Sequence, residues 1–405
     1  MKSSHPSLRD APLPAPIWGE RLIDREAVEQ LRNAMRLAVT VGGALMPDAH
    51  VGYGIPIGGV VALEGAVAPY MVGVDIACRM MMTVYPPGSA ELLRDAAGRD
   101  RLRRIMREET RFGIGAAFGP RERRRHAVLD APDWNATPRL RELKDKAAAQ
   151  LGTSGSGNHF VDAGVLHVDA PAAPVLGLEP GDYLAFLTHS GSRGVGARLA
   201  EAYSKLAREQ SDLPQTFRNL AWLPLGTEAG QEYWVGMNLA GRFASACHHV
   251  IHDALARRLA MEPAYVLENH HNFAWREVWR GREVYVHRKG ATPAHAGEMG
   301  LIPGSQGHPS FIVRGRGSEA SLYSASHGAG RVMSRTQAKK TIPRQARDAW
   351  LRARGVELLG GGLDEAPQVY KDIEEVLALQ ADLVEPVAAF HPRLVLMSTD
   401  RRAED

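Results

Sequence analysis

Hydrophobic and polar positions along the chain alternate in short β-like runs, broken by glycine-rich loops and separated by a few helical stripes. Residues 1–20 are rich in proline and serine and follow no period, which predicts an irregular lead-in. Glu26 to Leu37 carries the spacing of a short amphipathic helix. AVTVGGALMPDAHVGYGIPIGGVVAL, residues 38–63, reads as two strands joined by a tight loop that carries Asp48 and His50. MMMTVYPP predicts a strand from Met80, and a helical region begins near Ala90. Arg121 to Gln150 reads as helices around a polar surface loop, DAPDWNATP. HFVDAGVLHV alternates as a strand, and Asp182 to Thr188 is a buried one. A helix follows from near Gly194, with Val195, Leu199, Ala202, Tyr203 and Leu206 on one stripe. A longer stripe runs from Gln231 to Ala260. Short strands are predicted over Ala264–Glu268 and Glu283–His287 and from Ser310, and the tail from Leu351 reads as helical.

This pattern predicts an α+β fold, with mixed β-sheets flanked by helices in one domain spanning residues 1–405. No repeat or clear linker divides the chain, and chemistry-bearing residues are scattered from about residue 48 to 335. A single cleft receiving several loops fits that scatter. A hydrophobic fraction of 44% with 23% charged residues is that of an ordinary globular protein. No apolar run approaches a membrane span and no secretory signal opens the chain, so a cytoplasmic protein is expected. Two cysteines cannot build a disulfide scaffold. The net charge of +3 does not imply nucleic acid, but arginines crowd between Arg94 and Arg125. That crowding has two readings: a phosphate-binding surface, or a solvated helical face with its own acids, Asp100, Glu108, Glu109 and Glu122.

The densest chemistry lies in Met71–Met80, MVGVDIACRM, where Asp75 and Cys78 stand three residues apart. A thiolate and a carboxylate this close suit a transition metal; the alternative is a core cysteine beside a turn-capping aspartate. Histidine is abundant, with 16 residues, and many follow β-like runs. Asp48 and His50 can orient a catalytic group, although a turn cap is the simpler role. Asn158 and His159 follow a Gly/Ser-rich loop, and Asp162 lies on the strand beyond. His189 ends a strand, and SGSRG leads into a helix N-terminus where Arg193 adds charge, a suitable anion site. His248 and His252 have the spacing of a helical metal pair, but their helix has a complete apolar face and no third ligand nearby, so core is preferred for them and for Cys247. Asn269-His270-His271-Asn272 follows another strand. Arg288 and Lys289 form a basic pair in a loop, and Ser305 sits in a turn. His327 lies among small residues in SHGAG, ahead of Arg331, Arg335, Lys339 and Lys340. With cations and no carboxylates around it, His327 is a candidate nucleophile toward phosphorus. Asp75, Cys78, His159, His189 and His271 together offer donors for one or two metals. The chemistry this points to is metal-assisted phosphoryl or nucleotidyl transfer on a polyanion.

MPDAHVGYGIPIGG, VGVDIAC, GSGNHF, THSGSRGVG, HRKGA, PGSQG and SHGAGRVMSR, in this order, closely resemble the RtcB family of RNA ligases from about residue 40 to 340. The resemblance implies a single RtcB-type domain with a central metal-binding cleft. It implies GTP- and Mn²⁺-dependent joining of RNA 3′-phosphate or 2′,3′-cyclic phosphate ends to 5′-hydroxyl ends, in RNA repair or tRNA splicing. Cys78 would bridge two Mn²⁺ ions, with His189 and His271 completing one site and Asp75 and His159 the other. His271 is chosen over His270 because it directly precedes Asn272. Zn²⁺ or Co²⁺ are alternative occupants. His327 would take GMP from GTP as a covalent adduct. Asn158, Arg193, Arg331 and Arg335 would hold phosphates, with Arg288 and Lys289 as further contacts. Ser305, Ser310, Gly328 and Gly330 would line the nucleotide pocket. Three departures from the family pattern matter, and the last bears on the choice of guanine. Asp162 stands where Glu is usual, Gln306 where Met is common, and the tail from about residue 394, LVLMSTDRRAED, lacks the family's lysine. An activator such as archease and a monomeric or weakly dimeric state are compatible partners. Two other functions remain open: a metal-dependent phosphoesterase opening cyclic phosphates, and a non-catalytic RNA-end-binding protein.

Overall fold

A computed structural model of the chain describes residues 7–399. The first residues of the predicted lead-in and the last of the predicted tail, 1–6 and 400–405, lie outside the described residues.

Two antiparallel sheets hold the molecule together. The first contains β1 (Thr40–His50) and β2 (Ile57–Leu63) and two later strands. The second begins with β3 (Arg79–Val84), β4 (Phe160–Val168), β5 (Gly181–Ser190) and β6 (Tyr265–His270). The first sheet resumes with β7 (Asn272–Trp279) and β8 (Arg282–Lys289), giving the order β1-β2-β8-β7. The second ends with β9 (Met299–Ile302), β10 (Ser310–Gly315) and β11 (Val384–Met397), in the order β9-β10-β11-β4-β5-β3-β6. Glu357–Leu358 adds a short parallel pairing to β11. The side-chain amide of Asn269 on β6 bonds the backbone of Leu301 on β9 in both directions, at 3.0 and 3.4 Å. One amide thus stands in for a ladder rung and nearly closes the second sheet on itself.

Helices α1 (Arg25–Ala34), α2 (Ala96–Glu109), α3 (Pro138–Gln150), α4 (Arg193–Gln210) and α5 (Glu228–Leu259) pack outside the sheets. Thr137 and Thr227 cap α3 and α5 by accepting from Leu140 and Gly230 backbone N–H groups. The buried stripe of α5 includes Met237, Phe243, Cys247, Ile251 and Leu255, as the periodicity predicts. Burial pushes the Cys247 thiol up to about 11, consistent with its core role.

Several expectations change. The tail from Leu351 is not mainly helical: its last part is the 14-residue strand β11, between β10 and β4. Pro386 and Pro392 sit beside register shifts in its two ladders, so bulges absorb prolines that a regular central strand would reject. Asp48 and His50 are not in a loop, because β1 continues through both. Trp134, in the supposed polar surface loop, is fully buried and donates to the Val128 carbonyl at 2.8 Å. Arg288 and Lys289 lie on β8, where the two-residue pleat sends them to opposite faces.

Candidate metal centre and active site

The ends of β3, β4, β5 and β6 meet at one cleft of about 1190 Å³. Asp75 and Cys78 precede β3, His159 precedes β4, His189 is near the end of β5 and His271 links β6 to β7. All five predicted donors border this cleft. Cys78 Sγ lies 3.0 Å from His189 Nε2 and 3.4 Å from His159 Nε2. His189 Nε2 is 3.2 Å from His271 Nε2, and His159 Nε2 is 3.0 Å from an Asp75 carboxylate oxygen. The thiol therefore touches one histidine of each expected pair.

The backbone brings them together under some strain. Ala77, next to the thiol, has φ of 57° and donates to the Asn272 carbonyl at 2.6 Å. The His271 N–H in turn donates to the Cys78 carbonyl at 3.0 Å. Gly191 leaves room for the Asp75 carboxylate, which a Cβ there would meet at 2.1 Å. His189 Nδ1 faces the Asn158 carbonyl at 3.1 Å, so it carries the ring proton and leaves the Nε2 lone pair toward the thiol and His271. Burial lowers the His189 pKa to about 3, and burial with neighbouring histidines holds His271 well below its usual value. Burial raises the Asp75 pKa, but its bond to His159 and the charge of Arg193 outweigh this and bring it below the usual carboxylate range. The lone pair of neutral His189, two further imidazoles, a sulfur and a carboxylate converge, and buried His271 Nδ1 has no partner among the described residues; this donor set fits a divalent transition-metal centre.

His327 lies beside this cluster, its ring centroid 4.8 Å from that of His271. The expectation of a histidine without carboxylates is corrected here. Asp48, fully buried on β1, places one oxygen 2.7 Å from His327 Nδ1 and accepts from the His327 backbone N–H at 3.2 Å. A turn cap is therefore not the role of Asp48. Lys371 donates to the carbonyls of Pro47 and Ala49, at 3.0 and 2.8 Å, and so fixes the backbone on both sides of the aspartate. Gly330, at φ of 75°, is required because a Cβ would meet the Asp48 carbonyl at 2.0 Å.

Asn158, Ser305, Ser310, Gly328, Gly330, Arg193, Lys289, Arg331 and Arg335 all border the cleft. Arg193 donates to His159 Nδ1 at 3.0 Å. Arg331 and Arg335 both pair with Glu365, a buried carboxylate whose pKa burial raises. Ser305 bonds His308 Nδ1 at 2.7 Å, and Ser310 accepts from the Gly304 N–H. Arg288 is the exception. It is fully buried, pairs with Glu277 at 2.6 Å and donates to Ser324 and the Leu322 carbonyl, so the core consumes it as a structural cation. The arginines between Arg94 and Arg125 do not border the cleft; Arg99 and Arg103 hold Glu357, and Arg123 holds Asp145. These ion pairs favour the solvated-face reading for Arg99, Arg103 and Arg123.

His248 and His252 are not metal ligands but parts of a one-way hydrogen-bonded chain. The Ser190 carbonyl can only accept, so His248 Nε2 donates to it at 3.2 Å and His248 Nδ1 accepts from Thr188 at 2.6 Å. Thr188 then accepts from His252 Nε2 at 2.8 Å, and His252 Nδ1 accepts from Thr83 at 2.7 Å. Sequence reasoning missed the roles of Glu365 and Lys371, and preferred the wrong role for Asp48. Only the PDAH segment signalled Asp48, because its partner lies 279 residues away.

A buried sulfur–nitrogen donor cluster beside a carboxylate-oriented imidazole, at the mouth of a nearly closed sheet, is the layout of a metal-assisted transferase or ligase. The comparisons place the chain more closely. Residues 30–398 match the family model described as "RtcB: tRNA-splicing ligase RtcB". The chain is 34% identical to "RNA-splicing ligase RtcB1" of Escherichia coli (strain ATCC 25922), covering 92% of this chain and 95% of that protein. It is 29% identical to "tRNA-splicing ligase RtcB" of Archaeoglobus fulgidus, covering 96% and 95%. The chain belongs to the RtcB family of RNA ligases.

Proposed function

We propose that this chain joins RNA 3′-phosphate or 2′,3′-cyclic phosphate ends to 5′-hydroxyl ends through a guanylylated His327, in RNA repair or tRNA splicing. The observation that carries the reading is the Asp48–His327 bond beside the donor cluster. With Nδ1–H given to Asp48, Nε2 holds the lone pair. That nitrogen attacks the α-phosphorus of GTP, so a P–N bond forms and the bond to pyrophosphate breaks. The RNA 3′-phosphate then takes GMP from His327, breaking the P–N bond, and the 5′-hydroxyl displaces GMP. A cyclic end is first opened by water to the 3′-phosphate.

Cys78 would bridge two Mn²⁺ ions, with His189 and His271 on one and Asp75 and His159 on the other. When bound, the ions supply Lewis-acid neutralisation of phosphate oxygens. Arg193, Lys289, Arg331 and Arg335 supply the remaining positive charge, with Glu365 holding the last two arginines in place until a phosphate competes for them. Asn158, Ser305 and Ser310 position the nucleotide, and Gly328 and Gly330 leave room for it. The base would lie near Asp162 and Gln306, each of which has one buried oxygen without a hydrogen-bond partner. Burial holds the Asp162 carboxyl well above its usual range.

The test is incubation with Mn²⁺ and α-labelled GTP, followed by a search for an acid-labile protein adduct. Wild type should form the adduct and His327→Ala should not. An adduct in both, or in neither, would sink nucleotidyl transfer. Parallel labelling with ATP reads the base selectivity of Asp162 and Gln306.

A further inference from the structure

Among the described residues, eight large hydrophobic side chains are exposed, and five of them border the same cleft: Val51, Tyr53, Val74, Ile114 and Val332. Apolar exposure gathered around one opening marks a binding surface. Tyr53 is the most exposed of all, at 72%. It is nevertheless held on a fixed loop. The Gln30 side chain brackets the preceding Gly52, accepting from its N–H at 3.0 Å and donating to its carbonyl at 2.6 Å. Lys289 donates to the Tyr53 carbonyl itself. The ring has no stacking or hydrogen-bond partner among the described residues. A rigid backbone therefore presents an unoccupied aromatic face to the cleft.

Positive charge accompanies it. Lys146, on α3, has no ion-pair partner among the described residues and lies over the start of α4, where a Cβ on Gly194 would meet its Cε at 2.3 Å. Arg198, one turn into α4, also borders the cleft, in an exposed ion pair with Glu201 at 3.6 Å that a phosphate must displace. The wall leads to the chemistry: Gly290, next to Lys289, packs so closely on His327 that a Cβ would sit 3.0 Å from its Cε1.

We infer that this wall seats the unpaired nucleotides next to the reacting RNA end, with a base stacked on Tyr53 and phosphates against Lys146 and Arg198. The inference rests on the proposed RNA-joining reading and adds where the strand lies. An exposed aromatic and cations bordering one cleft suit single-stranded RNA, because every unpaired base offers a face to stack. A duplex hides those faces, so paired ends must open before they bind here. A protein partner would use the apolar rim but would have no need of Lys146 and Arg198.

The test measures binding of the metal-loaded protein to a labelled single-stranded RNA ending in 3′-phosphate, and to the same RNA paired to its end. Tyr53→Ala should weaken single-strand binding about tenfold, while Tyr53→Phe keeps it. Lys146→Ala should reduce the salt slope of binding by about one. The paired RNA should bind more weakly than the free strand. Wild-type affinity in Tyr53→Ala, or equal binding of the paired RNA, would overturn the inference. Adduct formation with GTP, read without RNA, separates the two claims. Tyr53-dependent binding without any adduct in wild type rejects the ligase reading and keeps the RNA seat. An adduct with Tyr53-independent binding does the reverse.

Discussion

Asp48 holds His327 by two hydrogen bonds, from Nδ1 at 2.7 Å and from the backbone N–H at 3.2 Å. The first fixes the tautomer and the second fixes the position of the ring. One carboxylate oxygen accepts both, and the aspartate backbone is itself strapped by Lys371. Replacing Asp48 with Asn keeps the size but lets the amide donate, which favours the wrong tautomer. Asp48→Asn should slow adduct formation on the order of a thousandfold, by analogy with other carboxylate-oriented histidines. Single-turnover labelling with GTP measures it. A rate within threefold of wild type would remove the orienting role.

Cys78 is the one donor that touches both His159 and His189. A bridging thiolate cannot be lost without affecting both metal positions. Cys78→Ala should therefore bind neither Mn²⁺ ion, whereas His271→Ala should lose one. Elemental analysis of the dialysed proteins counts the ions. Two metals retained by Cys78→Ala would refute the bridge, independently of any activity.

The local parts of this site were legible in sequence and the long-range partnerships were not. Asp75 and Cys78 stand three residues apart, and His189 ends a buried strand before a helix N-terminus, so periodicity and spacing found them. The basic character of Arg288 and Lys289 was also legible, but not their fates. Strand pleating sends Arg288 to Glu277 in the core and leaves Lys289 in the cleft. Asp48 looked like a turn cap because its partner is 279 residues away. β11 looked helical because two prolines and a mixed apolar run obscured its alternation, which bulges restore only once β4 and β10 pair with it.

The arginine-rich helix α2 carries a sharper lesson about charge. Arg103 makes a two-pronged contact to Glu357, at 2.7 and 2.8 Å, and Arg99 joins the same carboxylate. Charges already neutralised this way release few counterions from RNA. Arg103→Ala should change RNA affinity less than about twofold and leave the salt slope unaltered. A fall in slope of about one would restore this face as a phosphate contact.

Lys289 combines burial with a place in the cleft, and pH reads the combination. Burial lowers its pKa from 10.5 to about 7. Between those values the unfolded chain binds more protons than the folded one, so this group makes stability rise as pH climbs from about 7 to 10.5. Below about 7 the full cost of the buried ammonium is present. A phosphate in the cleft would favour the ammonium and raise the pKa again. At pH 8, binding of an RNA 3′-phosphate should therefore draw in roughly one proton at Lys289. Titration calorimetry of the metal-loaded protein in two buffers of different ionisation enthalpy measures the uptake. Lys289→Met should abolish it, and should also flatten the rise of melting temperature between pH 7 and 10. Unchanged uptake in that variant would place the titrating group elsewhere and leave Lys289 as a strut between the Tyr53 and Tyr70 carbonyls.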